Sequence, residues 1–120
     1  MNRRRAAALL LLFGAAALAH SADDAAWPVA GRQGVLRFVI VPEQAARDPA
    51  AYAQQIERLC GPAPTCFLNF YTNSTHAPLA VPLPDAIAHE ATAVLRRSAK
   101  RGMEGFRFAC RLQTGDASCF

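Results

Sequence analysis

Four cysteines, Cys60, Cys66, Cys110 and Cys119, are the residues of this 120-residue chain whose type and spacing bear most directly on chemistry. Cys60-Gly61-Pro62 opens like a thioredoxin-type redox site, but the second cysteine is delayed to Cys66, and Pro62 and Pro64 stiffen the turn between them. A reactive thiolate is stabilised at a helix N-terminus. Cys60 instead ends a segment that reads as a helix, where the dipole is negative and opposes ionisation. The pattern favours a strap over a redox centre. An even cysteine count in a small exported domain predicts full oxidation. The order along the chain favours Cys60 with Cys66 and Cys110 with Cys119, while a link from Cys66 to Cys110 is the pairing that neighbouring strands would allow instead.

Other chemistry-bearing residues form weaker patterns. Asp85 and His89 stand four apart on a segment read as a helix, with Thr92, Arg96 and Lys100 continuing the same stripe, which describes a solvated surface pair as well as an oriented imidazole. His89-Glu90 lacks the second histidine of a zinc-protease helix, and Ala93 fills its place. Ser74, His76 and Asp85 supply the residue types of a hydrolytic triad, but no Gly-x-Ser-x-Gly elbow frames the serine. No metal-ligand or cofactor motif is present in the sequence, and Asn73-Ser74-Thr75 is a glycosylation acceptor by pattern.

Arg3, Arg4 and Arg5 precede an apolar run from Ala6 to Leu18 that closes in Ala17-Leu18-Ala19, the layout of a secretory signal peptide over residues 1–19. The run is shorter than the roughly 20 apolar residues that span a bilayer, so the processed chain is expected to be soluble, in the periplasm or secreted. Three of the thirteen basic residues lie in the signal and all nine acidic ones lie beyond it, leaving a net charge of +1. That balance argues against a nucleic-acid partner, which calls for a large cationic surplus.

The elements that must position these residues follow from periodicity. Val35–Val41, β-branched and stopped by Pro42, reads as a central strand. Asp48 and Pro49 open a helix that shows Tyr52, Ile56 and Leu59 on one stripe and ends at Gly61. Cys66–Thr72 alternates as a second strand, and residues 73–83 form a proline-rich loop. Pro84 and Asp85 then open a second predicted helix with Ile87, Ala91, Val94, Leu95 and Ser98 on one face. Arg96, Arg97, Lys100 and Arg101 crowd its last turns before Gly102. Gly105–Leu112 reads as a third strand.

The expected architecture is a small α/β (or α+β) two-layer domain over residues 35–120, β-α-β-α-β, with both helices on one face of three strands and an extended segment at 20–34 in front of it. Leu36, Phe38, Ile40, Cys66, Leu68, Phe70, Phe106 and Phe108 are expected against the helices. The opposite face would gather Arg37, Asn69, Tyr71, Arg107 and Arg111, unless Trp27 and Val29 or the proline-rich loop cover it. Tyrosine and arginine dominate protein interfaces, so this face is the candidate binding surface for a second copy, another protein or a cell-envelope component. The resulting expectation is a non-enzymatic binding module stabilised by disulfides, with a small hydrolase or ligand-binding protein using the loop around His76 as the alternative.

Overall fold

The computed structural model describes residues 25–73 and 90–120. The expected signal peptide, Ser74, His76, Asp85, Ile87, His89 and nearly all of the proline-rich loop lie outside these residues. The described part is a five-stranded mixed sheet with one α-helix, in the spatial order β1 (Val29–Gln33), β2 (Leu36–Val41), β3 (Thr65–Thr72), β4 (Ala93–Ser98) and β5 (Met103–Phe108). Only β2 and β3 run parallel, and α1 (Pro49–Cys60) connects them, while every other neighbouring pair is antiparallel.

The local signals of α1 act as its residue types require. The Asp48 carboxylate accepts from the backbone N–H groups of Ala50 and Ala51, Pro49 takes the first helical position, and Gly61 leaves the helix at φ +52°. The helix lies on one face of the sheet with Tyr52 at the centre of the packing. Tyr52 is fully buried, and its ring centroid lies 5.2 Å from Trp27, 5.0 Å from Phe70, 5.4 Å from Phe106 and 5.1 Å from Phe108. Edge-to-face contact is the favoured geometry for such rings, so this aromatic cluster adds specific packing to its burial.

The predicted three-strand, two-helix architecture is corrected at three places. The segment expected to be the second helix supplies β4 over Ala93–Ser98, followed by a short 3-10 turn at Ala99–Arg101. The stripe of Ala91, Val94, Leu95 and Ser98 fits a helical period, but Ala93 and Leu95 also alternate with Val94 and Arg96. Pairing with β3 decides between the periods, because Phe70 and Leu68 sit opposite Ala93 and Leu95 and complete the layer beneath the helix. Arg96, Arg97, Lys100 and Arg101 therefore do not complement a helix dipole. The extended segment before residue 35 also contributes an edge strand, and Trp27 and Val29 join the helix-side core rather than covering the opposite face. The third predicted strand stops early: β5 ends at Phe108, and Cys110–Leu112 form a 3-10 turn that returns Leu112 to the core.

The side assignment of β2 is inverted relative to the expectation. Val39 and Val41 face the helix with Leu68 and Phe70, whereas Phe38 packs with Tyr71 and Ala91, against Leu36 and Ile40, on the other face. The stretch LRFVIV is apolar at both parities in its second half, so the register with β3 sets its facing. The expected inward positions on β3 and β5, namely Cys66, Leu68, Phe70, Phe106 and Phe108, do belong to the helix-side core.

Candidate binding surface

Two disulfides join neighbours in sequence, Cys60 to Cys66 and Cys110 to Cys119. The first ties the end of α1 to the start of β3. Arg97 reinforces that corner, its guanidinium donating to the Gly61 carbonyl at 2.9 Å while pairing with Glu104 at 2.8 Å. The second closes the C-terminal loop, where Asp116 accepts from the Phe108 N–H at 3.0 Å and from the Ser118 N–H and hydroxyl. These bonds, the Phe108 N–H first, hold the Asp116 carboxyl below the usual aspartate range. Two disulfides point to maturation in an oxidising environment, and no described helix is long and apolar enough to cross a membrane.

The candidate face drawn from alternation is assembled in part: the register aligns Asn69 with Val94 and Val94 with Arg107 on the helix-free side, which Tyr71 shares, but Arg37 is not there. Arg37 lies on the helix side and donates to Cys66 Sγ at 3.1 Å. Tyr71 is only 2 % exposed, its ring edge-on to Phe38. Its hydroxyl accepts from Asn69 Nδ2 at 3.2 Å, and Asn69 Oδ1 accepts from Arg96 at 2.8 Å. Arg96 also lies over the Phe67 ring and donates to the Leu68 carbonyl, and its partial burial lowers its pKa. Arg107 stacks over Phe120, and Arg111 donates to the carbonyls of Glu90 and Ala91. Tyr71, Asn69 and Arg96 thus form an internally satisfied network on the helix-free face.

Other described polar side chains are likewise engaged within the fold. The Tyr52 hydroxyl donates to the Ala46 carbonyl at 2.8 Å and lies 2.8 Å from the Thr92 hydroxyl. Gln55 accepts from the Trp27 N–H and donates to the Ala25 carbonyl, which fixes the chain entering β1. A groove of about 470 Å³ between Pro49, Ile56, Phe106 and Phe108 has Asp116 at its rim, but both carboxylate oxygens already accept hydrogen bonds.

A different surface emerges at the end of the sheet where β1 turns into β2 and β4 into β5. The sequences of the two turns are alike, Arg32-Gln33-Gly34-Val35 and Lys100-Arg101-Gly102-Met103. Gly34 and Gly102 both adopt φ +60°, and each is followed by an exposed apolar residue, Val35 at 64 % and Met103 at 57 %. Val35 lies in the two-residue turn between β1 and β2, whereas Met103 is the first residue of β5, opposite Ser98. The register puts both turns at the same end of the sheet, because Leu36 aligns with Phe67, Phe67 with Arg96 and Arg96 with Gly105. Arg32, Lys100 and Arg101 are exposed there and make no ion pair among the described residues. Arg37, close by, has its pKa lowered by burial and then by the charge of Arg32.

The two ends differ in charge. Arg32, Arg37, Arg58, Arg97, Lys100 and Arg101 stand with Glu57 and Glu104 at the turn end of the sheet, where α1 also ends, whereas the opposite end carries Glu43, Asp48, Glu90 and Asp116 with Arg47, Arg107 and Arg111. Residue counting misses this division, because the expected net charge of the processed chain is close to zero. The recurrence of a cation, a glycine and an apolar residue was the available sequence signal, but it becomes informative only once both segments are hairpin turns. No protein-family model matches the chain, and neither a curated protein nor a solved structure shows significant similarity to it.

Proposed function

We propose that this is an exported, non-enzymatic binding module, periplasmic or secreted, that attaches to a cell-envelope component through the turn end of its sheet. The observation that carries this reading is the grouping of two exposed apolar residues, Val35 and Met103, with Arg32, Lys100 and Arg101 at one end of a domain whose other end carries four carboxylates against three arginines. Exposed apolar residues scattered singly are ordinary on protein surfaces. Here both follow left-handed glycines, share one end and stand beside cations, which gives the surface a chemical identity. Phe120, the other large apolar residue exposed among the described residues, is at the opposite end and lies under Arg107.

Sedimentation with isolated envelopes tests the reading. The triple variant R32E/K100E/R101E should remain in the supernatant under conditions in which the parent protein pellets, with its melting temperature nearly unchanged because exposed substitutions contribute little to folding. Equal sedimentation of a folded triple variant would remove the turn end from consideration.

A further inference from the structure

Resting on that reading, we infer that the component engaged is the anionic headgroup layer of a phospholipid membrane. Arg32, Lys100 and Arg101 would meet the phosphates, and Val35 and Met103 would enter the boundary between headgroups and acyl chains. Shape separates this partner from the others. The two turns are about 10 to 15 Å apart, given an interstrand spacing of about 4.8 Å, with Val35 exposed in one and Met103 exposed where β5 leaves the other. A protein partner of ordinary affinity is met by a contiguous patch of about 800 Å² with clustered anchors. A bilayer, by contrast, yields independently to separated protrusions. A soluble polyanion would engage the cations and leave Val35 and Met103 without a role. The carboxylates at the opposite end orient the molecule, because an anionic surface repels Glu43, Asp48, Glu90 and Asp116 while attracting the turns.

The test is flotation of the exported protein with protein-free vesicles of pure phosphatidylglycerol and of pure phosphatidylcholine. Binding is expected to phosphatidylglycerol alone and to weaken as salt is raised. Each cation near such a surface is worth about fivefold in affinity, so K100Q/R101Q should bind about 30-fold more weakly. V35S/M103S keeps every charge and should still lose about tenfold or more, since it removes the apolar insertion. Two results would overturn the inference: no binding to phosphatidylglycerol vesicles, or full binding by V35S/M103S. If either occurs while envelope sedimentation remains sensitive to R32E/K100E/R101E, the turn end is a binding surface for something other than lipid. If the triple variant also sediments like the parent, the functional reading fails with it.

Discussion

Replacing Tyr52 with alanine will lower the stability of the domain by about 3 to 5 kcal/mol, the cost of emptying a large aromatic site in a well-packed core. Tyr52 is fully buried and contacts four aromatic rings, so no single neighbour can move in to fill its space. Urea denaturation should show a much lower midpoint, and a shift of less than about 1 kcal/mol would contradict the packing described. The hydroxyl has a separate effect. Tyr52→Phe leaves the Ala46 carbonyl and the Thr92 hydroxyl short of a partner and should cost about 1 to 2 kcal/mol. Burial raises the Tyr52 pKa from 10.0 to about 12, against smaller opposing effects of the Thr92 hydrogen bond and Arg111. Its folded-state pKa lies above its unfolded value. The stability linked to this group is therefore complete below pH 10 and is lost as pH rises towards 12. Between pH 10 and 11 the parent should lose stability more steeply than Tyr52→Phe.

Reduction of both disulfides should be about as damaging. The bridges span sequence separations of 6 and 9 residues, and closing loops of that size removes about 2 to 3 kcal/mol each from the unfolded chain. A small domain has only about 5 to 15 kcal/mol in total, so the reduced protein should melt far lower than the oxidised one. The bridges are expected to differ in local effect. Loss of Cys60–Cys66 loosens the corner where Arg97 holds Gly61, whereas loss of Cys110–Cys119 frees the loop that presents Asp116 to the end of β5. Differential scanning calorimetry with and without reductant measures the sum. Coincident melting curves would show that the straps are incidental to the fold and would reopen a redox role for the cysteines.

Helix α1 was legible in the sequence because its stop and start signals are local: Asp48, Pro49 and Gly61 act on their own backbone neighbours. The facing of β3 and β5 was legible for a related reason, since Cys66, Leu68 and Phe70, and likewise Phe106 and Phe108, alternate against residues of different character. Two features depended on contacts distant in sequence. Phe38 and Ile40 are as apolar as Val39 and Val41, so only the ladder to β3 selects the pair that meets the helix. Ala93 to Ser98 satisfies helical and extended periods together, and the central strand's unfilled side draws it into the sheet. The helix expected over that segment hid the candidate surface, because Lys100 and Arg101 appeared as the end of a helix and not as a hairpin turn aligned with Arg32 and Val35.

The central claim is that the protein binds through the turn end of its sheet, and amide hydrogen exchange of the oxidised protein with and without isolated envelopes tests this most directly. Exchange at Gly34, Val35, Lys100 and Arg101 should slow on binding, because these amides sit in the exposed turns, while Glu43, Asp48 and Glu90 at the opposite end should exchange as in the free protein. Protection confined to the opposite end, or to the helix-free face around Asn69 and Arg107, would contradict the account.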